Sequence, residues 1–165
     1  QMVEGFSVFA NIGRRPEPHL IYKVPDASGK VLMQSTAEAE KVAGVEALDP
    51  RNAYIMHQML HGVATSGTAA RATASLKRTD IAGKTGTTDE NRDRYFAGFS
   101  PYYSAAVWTG YKSNERFSES LGNPSAVLWR EVMRRIHDGL ENKDFNSCSG
   151  LVQVTVCQDL SLIHI

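Results

Sequence analysis

Three extended segments lie close together in the sequence, and they constrain the fold more than any other feature. They occupy residues 80–87, 94–99 and 103–111, and the last two are rich in aromatic residues. The connections at 88–93 and 100–101 contain few residues, whereas parallel strands need a crossover of a dozen or more. The sequence therefore predicts a three-stranded antiparallel meander.

Helical patterns precede these strands. Met2, Phe6 and Phe9 are spaced to lie on one face of a helix that opens the chain. Asp49 supplies a capping residue, and Pro50 after it occupies the first position of a second helix. The apolar stripe of that second helix consists of Met56, Met59, Leu60 and Val63.

Two further helices are expected on either side of the strands. The first is a short Ala-rich helix over residues 68–77; Ser66 and Thr68 are interpreted as helix-capping residues. The second begins at Asn123 and Pro124, and its outer faces carry arginines. Its apolar residues repeat at helical spacing: Trp129, Val132, Met133, Ile136 and Leu140. This last helix is predicted to pack one side against the sheet.

The fold class that follows from these patterns is α+β, with an antiparallel sheet covered by helices. Trp108 of the third strand and Trp129 of the last helix are expected in the core, in contact with each other. Residues 11–18 are interpreted as a loop because they contain a glycine and two prolines. Residues 19–24 and 30–34 flank a turn of Pro, Asp and Gly and predict a β-hairpin.

The composition excludes several classes of partner. Eighteen Lys and Arg balance eighteen Asp and Glu among 165 residues, so the formal net charge is zero and nucleic acid is not expected to bind. No apolar run reaches the roughly 18 residues that span a bilayer. Cys148 and Cys157 are too few for a disulfide framework, and two free thiols are favoured over a bond between them.

Both ends of the sequence differ from ordinary domain boundaries. The opening helix has no start signal, so the chain is expected to begin inside a domain whose earlier part is absent. Residues 1–140 are interpreted as part of that domain, and the polar residues 141–159 as a linker or the start of a C-terminal extension. Residues 160–165 are interpreted as a sequencing artefact similar to a translated transposon end; a genuine apolar strand is the alternative.

One segment concentrates groups that suit an anionic ligand. Residues 83–88, Gly-Lys-Thr-Gly-Thr-Thr, end the first predicted strand and combine an ammonium, hydroxyls and accessible backbone. Alternation places Lys84 and Gly86 on one face of the strand and Thr85 and Thr87 on the other. One ligand reaches both faces only along an exposed strand edge, which can also add an extended peptide. The alternative is a solvated lysine before a glycine turn.

Other binding chemistries fit less well. A phosphate-binding loop needs a glycine five residues before Gly83, where Arg78 stands. His57 and His61 have the i, i+4 spacing of metal ligands, but a third ligand is not evident and a solvated helix face is favoured. The charged residues 89–93 are interpreted as a surface loop. No metal or cofactor is expected.

Several short motifs occur in order along residues 1 to about 140. They are Phe9-Ala10-Asn11, Arg15-Pro16, Ser66-Gly67-Thr68-Ala69, Ala82-Gly83-Lys84-Thr85-Gly86-Thr87-Thr88, Tyr95-Phe96-Ala97-Gly98-Phe99 and Val107-Trp108-Thr109-Gly110-Tyr111. In this order and spacing, the chain resembles the C-terminal half of the transpeptidase domain of class A penicillin-binding proteins. That family is similar to the serine β-lactamases.

The resemblance implies a D,D-transpeptidase that cross-links peptidoglycan stem peptides through a serine acyl-enzyme and is acylated by β-lactams. It implies that Lys84 supplies positive potential and takes part in proton transfer. Thr85 and Thr87 would bind the terminal carboxylate of D-Ala-D-Ala through their hydroxyls, and the backbone N–H of Thr87 would form half of the oxyanion hole. Gly86 and Thr88 complete the predicted substrate-binding set.

Two motifs of the family are absent from the sequence. No lysine has a serine three positions before it, and no asparagine has one two positions before it, so Ser-x-x-Lys and Ser-x-Asn are missing. The isolated chain is therefore predicted to be inactive and to need the missing N-terminal half of the domain. The resemblance places the full-length protein outside the cytoplasm, held to the membrane by a preceding anchor. A non-catalytic penicillin-sensing domain and a serine β-lactamase are the alternatives.

Overall fold

The core of the fold is the predicted three-stranded sheet. A computed structural model describes residues 1–18, 20–34, 44–118, 122–145, 147–152, 154–157 and 162–164. The sheet consists of β5 (Ala82–Thr87), β6 (Asp93–Phe99) and β7 (Ser104–Gly110). All neighbours are antiparallel and the order is β5-β6-β7, so the predicted meander is confirmed. Strand β5 lies at the edge of this sheet.

Four helices accompany the sheet, and the predicted start signals are present at two of them. The helices are α1 (Met2–Ala10), α2 (Pro50–Thr65), α3 (Ala70–Thr73, continued by a 3₁₀ turn at Ala74–Leu76) and α4 (Pro124–Ile136). The Asp49 carboxylate accepts the backbone N–H of Arg51 at 2.9 Å. The Asn123 side chain accepts the backbone N–H of Ala126 at 3.2 Å. Both caps precede a proline at the first helical turn, as expected.

Helices cover both faces of the sheet. Phe96 of β6 packs against Trp129 of α4, with ring centroids 4.8 Å apart, and both side chains are fully buried. Phe99 has the opposite parity along β6, and it packs with Leu60 of α2 and with Phe6 of α1. The fold class is therefore α+β with an antiparallel sheet between helices, as predicted.

The expectation for the two tryptophans is half wrong. Trp129 is fully buried and donates its Nε1–H to the Ala105 carbonyl at 3.2 Å. Trp108 is 53% exposed and donates its Nε1–H to Asp93 Oδ1 at 2.8 Å. Side chains alternate along β7, so Val107 packs into the cluster that contains Trp129, and Trp108 lies on the other face of the sheet.

Helix α2 buries only part of its predicted apolar stripe: Leu60 is in the core and Val63 packs against it, whereas Met56 is exposed. The buried residues include Ala53, His57 and Leu60, whereas Met59 is 61% exposed. The prediction that His57 lies on a solvated face is wrong, because its ring stacks on Phe145 at a centroid distance of 3.9 Å. The buried face of α2 packs on the sheet through Ala82 and Phe99, and Phe145 after α4 covers the His57 ring.

Short strands complete the described fold. The predicted hairpin is present as β2 (Lys23–Pro25) and β3 (Val31–Gln34). Part of the predicted loop at residues 11–18 instead forms β1 (Arg14–Arg15), which pairs with β4 (Val45–Glu46). Gly13 explains the difference: its φ of 88° turns the chain, and its carbonyl accepts the N–H groups of residues 47 and 48.

The C-terminal part contains one more strand pair, β8 (Thr155–Cys157) and β9 (Leu162–His164). Cys148 carries a free thiol, and the expectation for the Cys157 side chain lies outside what the structure describes. Among the helices of the described ranges, none combines the length and apolar character needed to cross a membrane. The interpretation of the last six residues as an artefact stays a prediction.

The segment after α4 is attached to the residues that precede β5. Arg78 and Asp80 form an ion pair at 2.6 Å, and their side chains are 8% and 3% exposed. Arg78 donates to the Leu140 carbonyl at 2.8 Å, and Asp80 accepts the backbone N–H of Lys143 at 3.0 Å. Residues 140–145 therefore pack on the start of the sheet; the predicted domain boundaries stay predictions.

Candidate functional site

The anion-binding segment of the sequence lies on the edge strand. Within the described residues β5 pairs only with β6, so the other side of β5 is a free edge. Lys84 is exposed, and Thr85 and Gly86 are half-buried. This is the open strand edge that the sequence predicted.

The hydrogen-bond pattern of the sheet determines which backbone groups face the free edge. The Thr88 N–H donates to the Asp93 carbonyl at 3.2 Å, in the same register as the pairs Thr85 with Phe96 and Thr87 with Arg94. Hydrogen-bonded and non-hydrogen-bonded pairs alternate along an antiparallel ladder. Thr85 and Thr87 therefore belong to the non-hydrogen-bonded pairs, and their N–H and C=O groups point away from β6.

The Lys84 ammonium reaches across this edge. Its Nζ donates to the Thr85 carbonyl at 3.0 Å and to Thr85 Oγ1 at 3.3 Å. The side chain starts on the face of the sheet opposite Thr85 but brings its charge to the Thr85 side. One ligand at the free edge can therefore contact the Lys84 ammonium, the Thr85 hydroxyl and the outward backbone groups of β5.

A second hydroxyl joins the group. Thr68 Oγ1 lies 3.1 Å from Thr85 Oγ1, a hydrogen bond in which either oxygen can donate. The interpretation of Thr68 as a helix cap is wrong: Ala69 precedes α3, and α3 has no side-chain cap bond. This contact joins residues 17 positions apart, so no local sequence pattern indicates it.

The other predicted site residues, Gly86, Thr87 and Thr88, have different contacts within the sheet. Thr87 Oγ1 accepts a hydrogen bond from Arg94 Nη1 at 3.2 Å. The Thr88 hydroxyl donates to Asp93 Oδ2 at 3.2 Å and accepts the Asp93 N–H at 2.8 Å, so it closes the turn between β5 and β6. A Cβ on Gly86 would lie 3.0 Å from the Tyr95 Cβ, which explains the absence of a side chain there.

The charged residues 89–93 form a 3₁₀ turn (Asp89–Asn91) and the start of β6, and they are bonded to the segment after β7. Glu90 forms an ion pair with Arg92 at 2.7 Å and a second one with Arg116 at 2.5 Å. Hydrogen bonds from Arg92 and then from Arg116 lower the pKa of the Glu90 carboxyl. Since Phe117 also donates its N–H to the Asn91 carbonyl at 2.8 Å, the two loops form one unit beyond the end of β5.

Two cavities lie near β5. One of about 420 Å³ lies beside Thr85 and is lined by Thr68, Arg71, Asn123 and Arg130 among others. The second, of about 230 Å³, lies between α2 and the residues that precede β5.

His57 and His61 line the second cavity, near the start of β5. His61 Nδ1 donates to the Ile81 carbonyl at 2.8 Å, whereas His57 Nε2 is buried and has no partner among the described residues. Burial, with a smaller effect of His61, lowers the pKa of His57 to about 4. The described residues include no group of three or more His, Cys, Asp or Glu that could hold a metal ion.

Sequence comparison identifies relatives for most of the chain. Residues 1–128 match the family model described as the penicillin binding protein transpeptidase domain. Penicillin-binding protein 1A of Neisseria gonorrhoeae is 39% identical over 154 residues, which cover 92% of this chain and 19% of that protein. The protein of the same name from Clostridium perfringens is 35% identical over 162 residues, 98% of this chain and again 19% of the relative.

Solved structures show the same fold. Penicillin-binding protein 1A from Haemophilus influenzae superposes with a TM-score of 0.84 at 20% identity, covering 99% of this chain and 30% of that one. PonA1 from Mycobacterium tuberculosis was solved in complex with penicillin V. It superposes with a TM-score of 0.71 at 26% identity, covering 88% of this chain and 39% of PonA1. This chain therefore spans about a fifth of the curated relatives and less than half of these structures.

Proposed function

Because the chain belongs to the penicillin-binding protein transpeptidase domain family, we propose that it forms the substrate-holding part of a D,D-transpeptidase. The proposed reaction cross-links peptidoglycan stem peptides through a serine acyl-enzyme. In this proposal the chain is the C-terminal half of the domain. The nucleophilic serine lies in the part of the domain that precedes it.

The observation that carries the proposal is the free edge of β5. An acyl donor site needs N–H donors aimed at the oxygen on which charge develops, and donors for the substrate's own carboxylate. The N–H of Thr87 points to the free edge, and the Lys84 ammonium lies 3.3 Å from Thr85 Oγ1. An extended peptide end such as D-Ala-D-Ala fits an edge of this kind.

Each residue then has a distinct role. Lys84 supplies positive potential and takes part in proton transfer, and the hydroxyls of Thr85 and Thr87 hold the terminal carboxylate. The N–H of Thr87 forms half of the oxyanion hole. Gly86 leaves room for the peptide beside β5. For Thr88 the contact with substrate stays a prediction, since its hydroxyl is bonded to Asp93.

The partners of the parent protein follow from the same assignment. Stem peptides that end in D-Ala-D-Ala are the substrates, and β-lactams acylate the serine. The solved PonA1 complex with penicillin V supports this ligand class. We place the parent protein outside the cytoplasm, attached to the membrane through a segment outside this chain. No cofactor or metal takes part.

The test uses the full gene product that contains this chain. Labelled penicillin should form a stable adduct with it, and Lys84→Ala should slow acylation by about 100-fold or more while leaving the thermal unfolding midpoint nearly unchanged. The exposed Lys112→Ala is the matched control and should react like the unmodified protein. An unchanged acylation rate in Lys84→Ala would show that Lys84 takes no part in the reaction.

Two further measurements separate the alternatives. The 165-residue chain alone should give no adduct, because it lacks Ser-x-x-Lys. Rapid hydrolysis of penicillin by the full product would indicate a β-lactamase instead. Acylation without any cross-linking of stem peptides would indicate a penicillin-sensing domain.

A further inference from the structure

Arg94 lies opposite Thr87 on the neighbouring strand. The two residues form a non-hydrogen-bonded pair of the β5–β6 ladder, the kind in which side chains on one face approach most closely. Arg94 Nη1 donates to Thr87 Oγ1 at 3.2 Å. The strand position is fixed from α4 as well, because the Ser125 hydroxyl donates to the Arg94 carbonyl at 2.7 Å.

The charge of Arg94 is left without an acidic partner. Its side chain is half-buried, and within the described residues it takes part in no ion pair. Its Nε is buried and has no hydrogen-bond partner there. The other arginine of this hairpin, Arg92, pairs with Glu90 at 2.7 Å. Arg94 therefore adds an uncompensated positive charge directly behind Thr87.

The hydrogen bond also orients the Thr87 hydroxyl. A hydroxyl has one proton to donate and two lone pairs that accept. When Arg94 occupies a lone pair of Thr87 Oγ1, the proton of that hydroxyl is directed away from the guanidinium. The direction that remains open is toward the free edge of β5, where a carboxylate can accept it.

We propose that Arg94 is a positioning residue for carboxylate recognition, acting through Thr87. It holds the Thr87 hydroxyl as a donor and strengthens that donor with its own charge. This inference rests on the proposed function, since the carboxylate is that of the stem peptide or of a β-lactam.

The test compares two probes that differ only in charge, benzylpenicillin and its methyl ester. In the full gene product, Arg94→Gln should lower the acylation rate by benzylpenicillin about ten-fold, and the rate by the ester less than about two-fold. Arg94→Lys keeps the charge and should restore part of the loss. Arg135→Gln removes an exposed arginine of α4 and should change neither rate. Mass spectrometry of the acyl-enzyme over time measures the acylation rate of each variant with each probe.

A second mutation tests whether the effect passes through Thr87. In a Thr87→Val background, Arg94→Gln should lower the benzylpenicillin rate by less than about two-fold, since no hydroxyl remains to be oriented. Equal losses with both probes, or an undiminished loss in that background, would overturn the inference. The proposed function is judged separately on the unmodified full product: absence of a penicillin adduct there refutes the function, whereas unchanged acylation rates in the Arg94 variants refute only the role of Arg94.

Discussion

Acid is expected to destabilise the chain through His57. The ring is 3% exposed, stacks on Phe145, and has a buried Nε2 without a partner among the described residues. Burial lowers the pKa of His57 from 6.5 to about 4. Between these two values the unfolded chain binds a proton that the folded chain does not.

The direction and size of the pH effect on the free energy of unfolding follow from the difference between the two pKa values of His57. Above pH 6.5 His57 is neutral in both states, and its protonation does not affect the free energy of unfolding. As the pH falls from 6.5 to about 4, unfolding is increasingly favoured, because only the unfolded state accepts the proton. The full loss is about 3 kcal/mol, and about 2 kcal/mol of it is reached by pH 5. His137, whose pKa is also lowered by burial, acts in the same direction.

The assay is urea unfolding of the chain at pH 7.5 and pH 5, compared with the variant His57→Phe. A phenyl ring keeps the stack on Phe145 but cannot titrate, and it removes a buried polar atom that has no partner. The variant should lose about 2 kcal/mol less than the unmodified chain between the two pH values. An identical pH dependence in both proteins would show that His57 does not titrate as the packing requires.

Further predictions concern packing. Gly98→Ala should destabilise the chain by about 1–3 kcal/mol, because a Cβ there would lie 2.7 Å from the Ala82 carbonyl oxygen. Gly5→Ala in α1 should stabilise the chain by up to about 1 kcal/mol, because no atom lies within 4 Å of a Cβ at this position. Urea unfolding measures both variants, and similar midpoints for Gly98→Ala and Gly5→Ala would contradict this difference in packing. Arg78→Met should cost about 3–5 kcal/mol by leaving the buried Asp80 unpaired, and faster proteolysis after α4 should accompany it.

The sheet and its edge could be predicted from sequence because local rules decide them. Short connections force neighbouring strands to be antiparallel, so the order β5-β6-β7 follows from the spacing alone. The motif at residues 83–88 predicts Lys84, Thr85 and Thr87 as site residues. The contacts of Thr68 and Arg94 were not found, because they depend on strand register and on a loop position that no local pattern encodes.

Two residues show where hydropathy alone misleads. His57 is more polar than Met59, yet His57 is the buried one, because the segment after α4 covers its side of α2. Trp108 is large and apolar but lies on the exposed face of β7 at the end of the sheet. Packing against distant residues therefore determines the burial of His57, and the alternation of side chains along β7 determines the exposure of Trp108.

The open side of β5 also affects how the molecule behaves at high concentration. Unpaired backbone groups along a strand recruit any extended segment, including the same strand of another copy, and this is a common start of aggregation. A charged side chain on such a strand discourages that pairing, and Lys84 is exposed on it. Replacing Lys84 with an apolar residue is therefore expected to increase self-association through β5.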